Sequence, residues 1–260
     1  TYTKCYHFEV CASLLDEESF AILSRFPKGK VRLEIGLQSI HPETLAAVSR
    51  HTDAAAVLAA ASQLTRSGAV HIHLDLIAGL PFETFTGFGN SFDAAYFACD
   101  VLQLGFLKLL HGTALREHAA EYGIVFSEKP PYTVLKTADI SFEELAVLHR
   151  VEELLERLRD SGRFADSLDF LLSRLPSPFA FYCGFAGYLK ERDGRELQKI
   201  PQRELFSRLA AYGKTLLDPK EHGAWLTALR TDFAAHEVRR PPRELLGEEE
   251  TKKGDSPERN

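Results

Sequence analysis

Hydrophobic and polar positions alternate with a period of two in residues 31–38 and 69–77, a pattern typical of β-strands. One side of each predicted strand is aliphatic and consists of Leu33, Ile35 and Leu37 and of Ile72, Leu74 and Leu76. The other side is mostly polar and consists of Glu34, Gly36 and Gln38 and of His71, His73 and Asp75. Residues 6–11 and 101–110 are predicted to form two further strands.

Helix signals separate these strands. Asp53 is a good N-cap for a helix over residues 54–66, and Gly68 stands where a left-handed residue ends it. No Asn-Gly or similar hairpin signal connects the strands, so helical crossovers and a parallel arrangement are expected. The fold class is therefore α/β, as a parallel sheet or barrel. A packed barrel would fill its interior with branched aliphatic residues, whereas the polar sides predict a cavity for a polar ligand.

The pattern changes after about residue 126. Residues 127–237 carry helical stripes and capping signals but no alternating strand, so an all-helical C-terminal domain is predicted there. Residues 238–260 are rich in Pro, Gly, Glu and Lys and are predicted to be a disordered tail. Residues 1–126 hold the α/β part.

Composition narrows the function classes. The 260 residues carry a net charge of −6, which argues against a dedicated nucleic-acid surface. No apolar run approaches the roughly 20 residues that span a bilayer, so no membrane association and a cytoplasmic location are expected. Four cysteines, Cys5, Cys11, Cys99 and Cys183, lack a short metal-ligand spacing and are interpreted as buried free thiols.

Several motifs occur together in one order: EIGLQS, an SR pair ending twelve residues after its glutamine, and HLDLIAGLP. LLDEE, LQLGFLKLLHGT, YGIVF and RVEELLERLRDSGRF accompany them. This set resembles the core of the radical S-adenosylmethionine (SAM) superfamily, in particular the branch with a cobalamin-binding domain and an uncharacterised C-terminal domain. The resemblance covers about residues 5–165.

The resemblance implies a partial (β/α)6, TIM-like barrel with SAM and a [4Fe-4S] cluster at the C-terminal ends of its strands. It assigns four cofactor-binding residues: Glu9, Gln38, Arg50 and Asp75. A zwitterionic ligand needs a guanidinium for its carboxylate and carboxylates or amides for its ammonium and hydroxyl groups, which agrees with these residue types. His71, His73 and Gln103 are expected to line a substrate pocket. No residue is assigned as a catalytic acid, a catalytic base or a metal ligand.

The cysteines depart from the family pattern. Its Cys-x3-Cys-x2-Cys loop, which holds the cluster, does not occur in this chain. The chain starts at Thr1 and contains no methionine, so we expect it to be the C-terminal part of a longer radical SAM enzyme and inactive alone. The expected partners are an upstream cobalamin-binding domain, a reducing electron donor and a small-molecule substrate. Cobalamin-dependent methyl transfer is one possible reaction.

Two other hypotheses for the function stay open. The His71-x-His73 pair also resembles the metal-binding pair of barrel hydrolases, and Asp75 would suit zinc as a further ligand. A non-catalytic, degenerate barrel acting as a binding module is the second alternative. For single residues, Gln38 and Asp75 could bond neighbouring backbone, and Arg50 could complement a helix dipole.

Overall fold

A computed structural model describes residues 5–193, 196–237 and 240–246 of the chain. The chain divides into two compact units, Thr1–Glu152 and Glu153–Asn260. The predicted boundary between the α/β domain and the helical domain, near residue 126, stays a prediction. Of the predicted tail, residues 238–239 and 247–260 lie outside the described residues, and Arg243–Leu245 form a short 3-10 helix.

The N-terminal unit contains a parallel sheet of four strands in the order of the chain: β1 (Tyr6–Val10), β2 (Val31–Gln38), β3 (His71–Ala78) and β4 (Val101–Phe106). Its helices are α1 (Glu17–Leu23), α2 (Pro42–Ala47), α3 (Ala54–Ser67), α4 (Phe85–Tyr96), α5 (Ala114–Glu117) and α6 (Phe142–Leu155), of which α6 runs past residue 152. The predicted α/β class and the parallel arrangement are confirmed.

The aliphatic sides of β2, β3 and β4 form one buried face of this sheet. Leu33 lies beside Ile72, and Leu74 lies beside both Ile35 and Leu102, because the parallel register brings residues of one side together. All of them are at most 2% exposed. Helix α3 packs on β2 and β3 and helix α4 packs on β3, so the helices protect this face from water. The polar side chains consequently share the opposite face.

Local signals explain the helix boundaries. Asp53 accepts hydrogen bonds from the backbone N–H groups of Ala55 and Ala56, and Gly68 follows α3 with a φ of 62°, as predicted. Helix α4 starts at Phe85, because the Thr84 hydroxyl accepts a hydrogen bond from the Gly87 N–H and caps it there.

A short antiparallel pair, β5 (Val125–Phe126) and β6 (Val134–Lys136), was not predicted. Strands of two and three residues are too short to show an alternation of hydrophobic and polar positions. The pair falls where the sequence predicted the start of an all-helical region.

The C-terminal unit contains α7 (Ala165–Leu172), α8 (Pro178–Asp193), α9 (Gln202–Leu216) and α10 (His222–His236), and its described residues form no strand. Trp225 is fully buried, and its indole N–H donates to the Ala210 carbonyl. Buried Asp232 of α10 accepts hydrogen bonds from the N–H groups of Asp166 and Ser167 and so caps the start of α7.

No helix in the described part of the chain has the length and apolar character needed to cross a membrane.

We predict that Gly213→Ala destabilises the C-terminal unit. A Cβ at Gly213 would lie 2.5 Å from Trp225 Cε2, so the indole or α9 must shift, at a cost of about 1–3 kcal/mol. Gly187→Ala is the matched control, because nothing lies within 4 Å of its added Cβ and alanine favours a helix over glycine by about 1 kcal/mol. Urea unfolding followed by the fluorescence of Trp225, the single tryptophan, measures both. Equal stability of the two variants would contradict the prediction.

Candidate functional site

A cleft of about 660 Å³ lies at the carboxyl ends of β1, β2 and β3. The four predicted cofactor-binding residues, Glu9, Gln38, Arg50 and Asp75, all line it. They come from three strands and from the segment after α2, and the parallel arrangement brings them to one edge of the sheet. The structure therefore brings these four residues together, while their role as ligand contacts stays a prediction.

The end of β2 has an irregular backbone that shapes the cleft. The register with β3 shifts between Gly36 and Gln38, and Gln38 adopts a φ of 66°, which is uncommon for a residue with a Cβ. The Gln38 amide and the Arg50 guanidinium occupy the space over Gly36, where a Cβ would clash with the amide. Arg50 Nη1 also donates to the Gly36 carbonyl at 3.2 Å. Glycine is therefore required at position 36 for this arrangement.

A buried carboxylate fixes the turn that follows Gln38. Glu83 Oε1 accepts from the Ser39 hydroxyl at 2.6 Å and from the Ser91 hydroxyl at 3.0 Å. Ser91 Oγ in turn accepts from the Ile40 N–H, so the loop after β2 is tied to α4. Burial raises the pKa of Glu83, and the two serine hydroxyls oppose the shift. These bonds restrain the unusual conformation of Gln38.

Two polar atoms of the cleft residues are buried without a hydrogen-bond partner. They are Gln38 Oε1 and Asp75 Oδ1. Such atoms are rare, because an unsatisfied buried polar group costs about 1–3 kcal/mol. Neither of these two atoms forms a hydrogen bond to neighbouring backbone. A polar ligand in the cleft would therefore be their natural partner.

Asp75 has an unusual protonation equilibrium. Burial, then the negative charge of Glu34 and a hydrogen bond to its carboxylate, and then the charge of Glu9 raise the pKa of Asp75 to about 7, and Arg50 acts in the opposite direction. The cleft thus brings three carboxyl groups together with one guanidinium. A cationic group of a ligand would relieve the repulsion among the carboxylates and favour ionised Asp75.

The predicted pocket residues His71, His73 and Gln103 lie on the polar face of the sheet but do not line the cleft. Gln103 is exposed next to Asp75 in the register. The rings of His71 and His73 are in edge contact at 5.1 Å, and His71 Nδ1 lies 3.6 Å from Asp100 Oδ2. Burial, then the charge of Arg32, lowers the pKa of His73 to about 4, so this imidazole is neutral near pH 7.

The described residues offer no group of three or more His, Cys, Asp and Glu side chains placed to hold a metal ion. The interpretation of His71 and His73 as a hydrolase metal pair therefore has no geometric support. The four cysteines are free and scattered, and the prediction that they are buried is wrong for Cys5 and Cys11, which are exposed, whereas Cys99 is buried. They do not fit the thiolate set that a [4Fe-4S] cluster requires.

Sequence reasoning did not single out every residue of the site. Glu34 lines the cleft. The alternation of residues 31–38 already predicts Glu34 on the polar side of its strand, so this pattern could have identified it as a site residue. Cys11 and Thr52 also line the cleft, but neither stands in a readable pattern. Glu83 follows the GLP turn, and nothing in the local sequence shows that it would be buried with two serines.

The family described as a protein of unknown function (DUF4080) matches residues 120–259, which is more than half of the chain. The chain belongs to the DUF4080 family. The match includes all of α7, α8, α9 and α10 and none of the residues that line the cleft. The DUF4080 region and the candidate site are therefore different parts of the sequence.

The chain is also 38% identical over 88 residues to the heme chaperone HemW of Mycobacterium tuberculosis, strains CDC 1551 / Oshkosh and ATCC 25618 / H37Rv. This match covers 34% of the chain and 23% of HemW, so the chain spans less than a quarter of the curated relatives it matches.

Two solved structures are similar over part of their length. TsrM from Kitasatospora setae, a radical SAM methyltransferase with cobalamin and a [4Fe-4S] cluster bound, is 15% identical with a TM-score of 0.45, over 68% of this chain and 42% of TsrM. Methanocaldococcus infernus Elp3 is 21% identical with a TM-score of 0.39, over 45% of this chain and 28% of Elp3. The chain is similar to radical SAM proteins, as its motifs predicted.

We predict that Asp75 makes stability depend on pH. Its native pKa of about 7 lies above the ordinary value of 3.8, so between these values the native state binds more protons than the unfolded state. The contribution of Asp75 to stability should fall as the pH rises from about 4 to about 7, so Asp75→Asn should remove this contribution and stabilise the ligand-free chain at pH 7. Urea unfolding across this pH range measures the effect.

Glu128→Gln is the control for this prediction, because Glu128 is an exposed carboxylate of the same unit. The control should retain the pH dependence of the original chain. If Asp75→Asn showed the same fall in stability as Glu128→Gln, the elevated pKa of Asp75 would be wrong.

Proposed function

We propose that this chain is part of a radical SAM enzyme and that the cleft binds SAM. The observation that carries the proposal is the pair of buried, partnerless atoms, Gln38 Oε1 and Asp75 Oδ1, beside the Arg50 guanidinium in a cleft of about 660 Å³. This volume lies within the range of about 300–1,000 Å³ that small-molecule sites occupy. Three of the four predicted cofactor-binding residues, Gln38, Arg50 and Asp75, lie within the EIGLQS, SR and HLDLIAGLP motifs that resemble the superfamily.

The charges of the cleft match the charges of SAM. Arg50 would bind the carboxylate of the methionine part, since a guanidinium binds carboxylates with two parallel hydrogen bonds. Glu9 and Glu34 place negative charge where an ammonium or sulfonium group would be stabilised. Asp75 and Gln38 would accept hydrogen bonds from hydroxyl or amine donors. When bound, SAM supplies the 5′-deoxyadenosyl or methyl group that the reaction uses.

The fold that we propose for the radical SAM enzyme is a partial (β/α)6 barrel. We propose that residues 1–126 contribute its strands and that residues 127–237 form a helical domain. A polar sheet face is expected for the interior of a barrel that encloses ligands, because a closed and packed barrel would place aliphatic side chains there. A cytoplasmic location is proposed with it.

The cluster and the cobalamin belong to the proposal for the whole protein. Because the cysteines of this chain do not fit a [4Fe-4S] cluster, we propose that a segment outside the chain supplies its ligands. An upstream cobalamin-binding domain, a reducing electron donor and a small-molecule substrate are proposed from the sequence resemblance alone. Methyl transfer is the reaction that such a domain would favour.

We predict that the chain binds SAM and that Arg50→Gln weakens binding about tenfold or more, because it removes a charge-assisted contact to the carboxylate. Isothermal titration calorimetry with SAM measures this. S-adenosylhomocysteine, which lacks the sulfonium charge, should bind more weakly than SAM if Glu9 and Glu34 stabilise that charge.

Arg25→Gln is the matched control, because Arg25 is exposed in the same unit and does not line the cleft. It should bind SAM as the original chain does. Absence of SAM binding in a folded chain, or equal affinity of the two variants, would refute the assignment of the cleft. Bound zinc that is lost on His71→Ala would instead favour the metal hydrolase.

A further inference from the structure

A second cavity, of about 540 Å³, lies within the C-terminal unit between α8, α9 and residues 242–244. Among the described residues, its charged lining consists of four arginines and two glutamates: Arg192, Arg203, Arg208, Arg243, Glu204 and Glu244. We call this cavity the arginine pocket. All of its lining falls inside the DUF4080 match, and it shares no residue with the cleft.

The backbone that forms the walls of the pocket is regular structure, and exposed arginine side chains complete the lining. Arg203, Ser207 and Ala211 are spaced by four residues and lie along one face of α9. Residues 240–246 are fastened to that face by Leu245, which is 0% exposed, and by the Arg203 guanidinium, which donates to the Arg240 carbonyl. Ser207 Oγ also bonds Glu244 Oε2 at 3.1 Å. The walls are therefore held in place without a ligand.

The pocket has an excess of positive charge. Glu204 is paired with Arg208 at 2.8 Å, and Glu244 is bonded by a serine hydroxyl. Arg192 donates to the Tyr188 phenol at 3.1 Å and Arg203 donates to a backbone carbonyl, so within the described part of the chain these contacts bring no negative charge to either guanidinium. The chain as a whole carries a charge of −6, so this concentration is local. A concave site with such a field attracts anions.

The aromatic and apolar residues of the lining indicate that the bound anion carries an organic group. The ring of Tyr188 and the side chains of Pro201, Pro242 and Ala211 line the pocket beside the arginines. The volume lies in the range of about 300–1,000 Å³ that small-molecule sites occupy, and it exceeds what a single inorganic anion needs. A single concave pocket on an acidic chain does not offer the extended basic surface that binds nucleic acid.

We propose that the arginine pocket binds a small organic phosphate monoester. The excess of two positive charges matches a phosphate of charge about −1.5 to −2 near pH 7. Guanidinium groups bind phosphate oxygens in pairs, and Tyr188 with the prolines contacts the organic part. This assignment does not rest on SAM binding, because every residue that carries it lies in the C-terminal unit.

The test uses phenyl phosphate, phenyl sulfate and phthalate as probes in isothermal titration calorimetry at low ionic strength. Phenyl phosphate should bind, and phenyl sulfate, which has the same shape and one charge fewer, should bind more weakly. The double variant Arg192→Gln/Arg243→Gln changes two exposed side chains and should lower the affinity for phenyl phosphate about tenfold or more. Ala211→Glu, which adds a negative charge inside the pocket, should have the same effect.

Arg163→Gln is the matched control, because Arg163 is exposed in the same unit and outside the pocket. It should leave the affinity unchanged, and circular dichroism verifies that each variant is folded. Phthalate binding as tightly as phenyl phosphate would overturn the phosphate assignment in favour of a carboxylate. Binding of an RNA oligonucleotide without binding of phenyl phosphate, or folded pocket variants that retain full affinity, would overturn the proposal.

Discussion

The constraint on which the N-terminal unit depends is the period-two alternation of β2 and β3 within a parallel sheet. Leu33, Ile35 and Leu74 must leave water together, and helices α3 and α4 cover them. Because successive residues of a strand point to opposite faces, that burial forces the charged residues onto the other face. The site exists because the same strands that build the core also present carboxylates at their carboxyl ends.

Electrostatics at that edge of the sheet is unfavourable without a ligand. Asp75 shares the cleft with Glu9 and Glu34, and burial already disfavours its charge. The backbone adds to this cost, since Gln38 is held at a positive φ by a turn that Glu83 and Ser39 restrain. Unsatisfied polar atoms, a raised pKa and an uncommon backbone conformation in one place are the features expected of a binding site and not of a structural core.

The C-terminal unit is stabilised by different interactions from those of the N-terminal unit. Its core is aromatic and encloses Trp225 against Gly213, and its polar residue Asp232 is buried only because it caps α7. The DUF4080 match covers most of this unit, and the arginine pocket of the unit collects positive charge in a chain whose net charge is negative. In the described part of the chain, the cleft is lined by more carboxylates than guanidinium groups and the arginine pocket by more guanidinium groups than carboxylates, so the two would favour ligands of opposite charge.

The sequence alone determined the parallel α/β sheet and the caps at Asp53 and Gly68, and its resemblance to radical SAM proteins grouped Glu9, Gln38, Arg50 and Asp75, which line one cleft. Alternation and capping are local, so they can be read from neighbouring residues. The substrate pocket predicted at His71, His73 and Gln103 stays a prediction, and these three residues lie outside the cleft. Tertiary structure alone decided the burial of Glu83 with Ser39 and Ser91, the register shift at Gln38 and the arginine pocket. Each of these joins residues that are distant in sequence, and no local pattern encodes which distant side chains will meet.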